Sequence, residues 1–256
     1  MSRIRPGTAF VGGLLLALIA VIVGWWVSLP KPPAEAVVVG SAPSQAAPVA
    51  DTQALAGTGA SGGVLAAAPV APAWLDAVSA AAGIPRRALQ AYAETALVMA
   101  REDRACRIGW NTLAAIGQEE SRHGGHGGAY IADDGHLVGR IIGPALDGGA
   151  YAAVPDTDHG RLDGDPTWDH AVGPMQILPS TWARWGADGN GDGVKDPQDI
   201  DDAVLSAARY LCASGGDLQS GGGWTAAIRS YNPNDSYVRA VLSDADYYAR
   251  AATMAK

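Results

Sequence analysis

The sequence predicts a mainly α-helical domain, with a minor β element, exported behind an N-terminal apolar segment. Three observations lead there. Residues 9–29 are an almost unbroken apolar run. Residues 30–73 are dominated by Pro, Ala, Gly, Ser and Val. From residue 74 onward, helix formers in 3.6-residue periods are separated by Gly- and Asp-rich turns, with no helix–strand alternation.

The apolar run Ala9–Leu29 is about 21 residues long, enough to cross a hydrocarbon core of roughly 30 Å. Arg3 and Arg5 precede it, so the positive-inside rule places residues 1–8 in the cytoplasm and the remainder outside. Trp25 and Trp26 fall near the outer end, where indoles favour the interface. The alternative is a signal peptide cleaved at Ala34-Glu35-Ala36 and a secreted product; the run exceeds the usual signal core of about 7–15 residues, which favours an uncleaved anchor. Residues 30–73, with only Lys31, Glu35 and Asp51 charged, read as a disordered tether.

The folded part, 74–256, holds every acidic residue except Glu35 and Asp51 and every basic one except Arg3, Arg5 and Lys31, for a net charge near −9. That balance excludes nucleic acid and anionic lipid surfaces as main partners. Cys106 and Cys212 are the two cysteines, and an even pair in an oxidising compartment is expected to form a disulfide.

In chain order, Pro85 opens a helix over Arg86–Arg104. A second spans Trp110–Glu120, with Asn111 as its candidate cap. Tyr130–Val138 reads as a hairpin about Asp134-Gly135. Short helices follow at Pro179–Trp185 and at Ala203–Cys212, the latter capped by Asp202. Thr225–Ser230 and Ser236–Ala252 complete the set.

The chemistry concentrates at Leu113–Gly124, where an apolar helix runs into Glu119-Glu120-Ser121 and a glycine-rich loop. A carboxyl group at an apolar helix end beside a cleft can stay protonated near neutral pH, as general acid chemistry on a glycosidic bond requires. Neighbouring helical residues point about 100° apart, so Glu119 and Glu120 cannot serve one cleft together. A second motif, Val172-Gly-Pro-Met-Gln176-Ile, followed by Pro179-Ser-Thr-Trp182, fixes a turn and presents an amide with both donor and acceptor.

These stretches, with Ser230-Tyr231-Asn232, resemble the lytic murein transglycosylases of the membrane-bound B type, over about residues 75–250. The resemblance implies a lysozyme-like α-helical fold and a Glu120 that protonates the glycosidic oxygen between N-acetylmuramic acid and N-acetylglucosamine. Glu120 would then take the proton of the muramyl C6 hydroxyl as it closes a 1,6-anhydro ring. It also implies that Ser121, Gln176, Tyr231 and Asn232 line the saccharide cleft, and that the chemistry needs no cofactor. Peptidoglycan glycan strands would be the substrate, the membrane is contacted through the N-terminal helix, and cell-wall synthesis or division proteins are unidentified partners. The competing readings are a muramidase, with water replacing the C6 hydroxyl, and a non-catalytic peptidoglycan-binding scaffold, which would not need the acid.

Asp188-Gly-Asn190-Gly-Asp192-Gly-Val194 is EF-hand-like, with alternating oxygen donors suited to a structural Ca²⁺. Asp199 stands at the twelfth position, one methylene shorter than the usual Glu, and the related enzymes' longer loop would close at Asp202 instead. His123-x-x-His126 lacks a third ligand at zinc spacing and reads as a mobile loop. Asp156, Asp158, Asp163 and Asp165 read as an exposed acidic loop.

Overall fold

A computed structural model of the chain describes residues 39–44, 48, 69–149 and 152–255. Residues 1–8, expected to be cytoplasmic, the apolar run 9–29 and most of the expected tether 30–73 lie outside those residues. Among the described residues no helix is long and apolar enough to cross a membrane.

Seven α-helices and one hairpin make up the described domain: α1 (Pro72–Ala82), α2 (Arg86–Glu102), α3 (Trp110–Ser121), β1 (Tyr130–Ile131), β2 (Leu137–Val138), α4 (Pro179–Trp185), α5 (Ile200–Gly215), α6 (Gly221–Tyr231) and α7 (Asp235–Met254). The mainly α expectation holds, and the hairpin pairs antiparallel with Tyr130 opposite Val138. Helix α1 is additional. Pro72 enters it at the first turn, where its missing N–H is no loss, and Leu75 and Val78 bury one face.

Helix α3 is the central element. Every residue from Trp110 to Gly117 is buried, which a one-sided amphipathic helix would not show. It packs on α2 and α7. Gly117 permits the approach of α2: a Cβ there would fall 2.1 Å from the Tyr92 hydroxyl. Trp224 of α6 donates its indole N–H to Thr112 Oγ1 at 3.2 Å. The disulfide Cys106–Cys212 ties the chain before α3 to α5.

Two helix starts differ from expectation for the same reason, that burial overrides capping propensity. Gly109, not Asn111, is the N-cap of α3; Asn111 is fully buried inside the helix and donates to the carbonyls of Ser44 and Ala245 at 2.9 and 3.0 Å. Helix α5 begins at Ile200, whose side chain is buried, so the cap is Asp199, accepting from the N–H groups of Asp201 and Asp202. Asp202 sits in the first turn instead.

Val39–Ser44, within the stretch expected to be tether, lie on the domain. Val39 is 8% exposed and its N–H donates to Thr225 Oγ1 at 3.2 Å.

Candidate active site

Helix α3 ends in a sharp reversal. Arg122, His123 and Gly124 have φ of 54°, 57° and 80° in succession, so the chain leaves at once and Glu120 stands on the last turn. Two non-glycine residues in the left-handed region are strained and persist only where their surroundings fix them. His123 provides that fixation. It is buried, with Nδ1 at 3.1 Å from the Tyr92 hydroxyl and Nε2 at 3.1 Å from the Tyr248 hydroxyl. Burial pulls its pKa down to about 4, so it is a neutral core group. The mobile-loop expectation is corrected here, and both ring nitrogens are engaged by tyrosines.

The Glu120 carboxyl is partly buried, and desolvation raises its pKa to about 7; the Tyr237 hydrogen bond opposes the rise and the charge of Glu119 adds to it. The helix C-terminus, with its partial negative charge, also disfavours a carboxylate there. Tyr237 of α7 donates its hydroxyl to Glu120 Oε1 at 2.5 Å. Sequence reasoning missed Tyr237. It lies six residues beyond Tyr231, at a buried position of an amphipathic helix, and its partner is 117 residues away. Glu119 is turned elsewhere: burial and the carboxyl group of Asp244 raise its pKa.

The Gly-Pro-Met-Gln turn sits beside this helix end. Gly173 has φ 76°, and a Cβ would overlap the Pro197 carbonyl at 1.7 Å, so only glycine fits. Successive carbonyls of the turn take donors from three motifs. Gln176 Nε2 donates to Gly173 O at 3.0 Å, the Ser121 hydroxyl to Pro174 O at 2.6 Å, and the Tyr231 hydroxyl to Met175 O at 2.6 Å. Ser121 is 2% exposed and also accepts from Gly124 N at 2.7 Å, which fits it to hold the turn together and leaves little of it for a sugar. Gln176 and Tyr231, with Leu178, Trp185 and Tyr210, line a recess of about 90 Å³. Asn232, the C-cap of α6, accepts from Asn234 N at 3.0 Å.

In the EF-hand-like loop, Asp188 accepts from Gly191 N and Gly193 N, Asn190 from Asp192 N, and Asp192 from Val194 N. Alternate side chains thus turn into the loop. Asp202 reaches its start, accepting from Gly189 N at 2.6 Å, and burial raises its pKa to about 6. Asp199 accepts from the α5 N–H groups, from His136 Nδ1 at 2.7 Å and, at 3.4 Å, from the Asn190 amide of the loop. In the second acidic loop, Asp156 and Asp158 come together with the buried Asp169.

Residues 156–230 match the family described as Transglycosylase SLT domain. No curated protein matches the chain. Among solved structures, SltB3 from Pseudomonas aeruginosa in complex with NAG-anhNAM-pentapeptide aligns at TM-score 0.39 and 17% identity, over 70% of this chain and 67% of that one. The Escherichia coli lytic transglycosylase Slt35 in complex with calcium aligns at TM-score 0.35 and 16% identity, over 72% and 79%. The matched segment supplies the Gly-Pro-Met-Gln turn, the EF-hand-like loop and all but the last residue of α6, while Glu120 lies before it. Residues 156–230 are thus similar to a transglycosylase SLT domain.

Proposed function

We propose that this domain is a peptidoglycan lytic transglycosylase of the membrane-bound B type, with Glu120 as its single acid and base. The observation that carries the reading is the state of Glu120: a partly buried carboxyl group with pKa about 7, accepting one hydrogen bond from Tyr237. Protonated, it gives its proton to the glycosidic oxygen as the bond to the muramyl C1 breaks. The resulting carboxylate takes the proton of the C6 hydroxyl as that oxygen bonds to C1. One proton passes in and one out, with no water consumed. Tyr237 keeps Oε1 occupied, which leaves the other carboxyl oxygen for the substrate.

The charge of Glu119, its chain neighbour, adds to the raised pKa of Glu120. A retaining glycosidase would hold a second carboxyl group about 5–5.5 Å away as nucleophile. In the proposed reaction the sugar's own hydroxyl takes the place of that second group. In this reading Gln176, Tyr231 and Asn232 contact the glycan, and Ser121 positions the helix end.

A structural Ca²⁺ fits the loop through Asp188, Asn190, Asp192, the Val194 carbonyl and Asp202. All are hard oxygen donors; Asp202 is favoured over Asp199 as the closing ligand because it bonds the loop's backbone at both ends, Gly189 N and Asp196 N, whereas Asp199 also caps α5. The ion would rigidify the loop beside the cleft.

We also infer an uncleaved anchor at 9–29 with the domain outside the cytoplasmic membrane. Val39 is already seated on the domain, so only residues 30–38 separate it from the apolar run. Digestion of purified sacculi tests the reaction. Wild type should release 1,6-anhydromuramyl products, one water lighter than hydrolytic ones, and Glu120→Gln should release none. Hydrolytic products from wild type would make the enzyme a muramidase, and full activity in the variant would refute the mechanism.

A further inference from the structure

We propose that residues 39–44 are a positioning strap for the active site, holding the remote parts of the three helices that carry its groups. The activity assay below rests on the transglycosylase reading above; the strap itself rests on contacts within the described residues.

The strap is bonded at both ends. Val39 is buried, and its N–H donates to Thr225 Oγ1 in the first half of α6 at 3.2 Å. Pro43 is buried, and Ala42 lies partly buried against the core. The Ser44 carbonyl accepts from Asn111 Nδ2 near the start of α3 at 2.9 Å, and the same nitrogen donates to Ala245 O of α7 at 3.0 Å. Asn111 Oδ1 has no partner among the described residues, so this fully buried amide depends on those two carbonyls. Strap, α3 and α7 therefore meet at one side chain.

Helix α6 makes room for the strap. A Cβ on Gly221 would fall 2.4 Å from Val39 O and 3.1 Å from Gly40 C and O, all of them strap atoms. A Cβ on Gly222 would meet nothing within 4 Å among the described residues. Helix α6 opens with Gly221-Gly222-Gly223, and glycine is the weakest helix former after proline. Its first turn is held from outside, by the Ser220 cap and by the strap.

Each helix that the strap reaches carries a site group some distance along its axis. Tyr231, which donates to Met175 O of the active-site turn, is six residues beyond Thr225, about 9 Å along α6. Glu120 is nine residues beyond Asn111, about 14 Å along α3. Tyr237, which donates to Glu120, is eight residues before Ala245, about 12 Å along α7. Packed helices of this length transmit displacement as rigid elements. Release of the strap therefore loosens both the Glu120–Tyr237 contact and the Tyr231–Met175 contact, and a shift of about 1 Å at a reacting group is costly.

The test compares Gly221→Ala, Val39→Asp and their double variant with Gly222→Ala, all in the full chain. Both alanines favour the helix, and only the one at 221 pushes on the strap; Val39→Asp releases the strap by burying a charge and leaves the sequence of α6 intact. Hydrogen exchange read by mass spectrometry should rise across 39–44 and 224–232 in the two releasing variants and stay at the wild-type level in Gly222→Ala. On glycan strands, well below each Tm, both releasing variants should lose about fivefold or more in kcat. The double variant should be no worse than the weaker single one, because both act through the same release. Their descending pH limb should also move to higher pH, since the Tyr237 hydrogen bond holds the Glu120 pKa down; partial unfolding would lower kcat and leave the limb in place. Gly222→Ala should match wild type in both. Exchange at 39–44 that is already fast in wild type, or that neither variant raises, overturns the proposal. So does a released strap with kcat unchanged or with the pH limb unmoved, and so does a loss confined to Gly221→Ala, which would belong to α6 itself. If wild type cleaves no glycan, the reaction reading falls and exchange across 224–232 alone decides the strap: protection there that survives its release overturns it.

Discussion

Glu120→Gln is expected to abolish cleavage and, above neutral pH, to make the protein harder to unfold. The folded carboxyl has a pKa of about 7 against an ordinary 4.5. Between those values the folded state binds more protons than the unfolded state, so stability falls as pH rises from about 4.5 to about 7 and then levels off. At about 1.4 kcal/mol per pH unit, the penalty at pH 8 reaches roughly 3 kcal/mol. That is a ceiling, because a partly exposed carboxylate keeps some of its water. The neutral amide introduced by Glu120→Gln would carry no such penalty, and its oxygen can still accept from Tyr237. Urea unfolding of both proteins should therefore give similar stabilities at pH 4.5 and a more stable variant at pH 8, by about 1–3 kcal/mol. Wild-type kcat/KM should be level below about pH 6 and fall close to tenfold per pH unit above pH 7, as the protonated acid is lost. A stability difference that does not change with pH, or cleavage that is level from pH 5 to 9, would refute the reasoning.

Three further outcomes follow from the same geometry. Tyr237→Phe removes the hydrogen bond that holds the Glu120 pKa down; the descending limb of the pH profile should move to higher pH while the rate drops roughly tenfold or more. Breaking Cys106–Cys212 opens a loop with a sequence separation of 106 residues, so the double Cys→Ser variant should lose about 4–5 kcal/mol in unfolding titrations, relative to the oxidised protein. Asp188→Ala should lower Tm only when Ca²⁺ is present, and an equal loss in chelator would refute a metal at this loop.

Much of this was legible in the sequence where the signal is local. The helix Arg86–Glu102 follows from Pro85 and a run of helix formers, and Pro179–Trp185 from its proline; the hairpin follows from Asp134-Gly135. Glu120 was reached through its motif and its greasy helix. What escaped depends on distant partners. Tyr237 looks like one more buried tyrosine until α7 is laid against α3. His123 looks like part of a glycine-rich loop until Tyr92 and Tyr248 enclose it. Helix α1 hid because its Ala-rich sequence continues the composition of the stretch before it. Asp199 and Asp202 could each have capped α5, and only the burial of Ile200 decides between them.

The Gly-Pro-Met-Gln turn explains why three short motifs, far apart in the chain, belong to one site. A residue that donates its hydroxyl to a buried carbonyl cannot offer the same proton to a sugar. Ser121 and Tyr231 both do this, at Pro174 O and Met175 O, so their hydroxyls act as fasteners. Ser121 fixes the end of α3, and hence the direction of Glu120; Tyr231 fixes the end of α6. Under the proposed function, the Tyr231 ring, the Gln176 and Asn232 side chains and the Glu120 carboxyl are then what is left to meet the glycan. The cost of disturbing a fastener should thus appear as displacement of Glu120 rather than loss of a sugar contact. A shift of about 1 Å at a reacting group can cost on the order of a hundredfold in rate, so a buried serine can matter as much as a residue that touches the substrate.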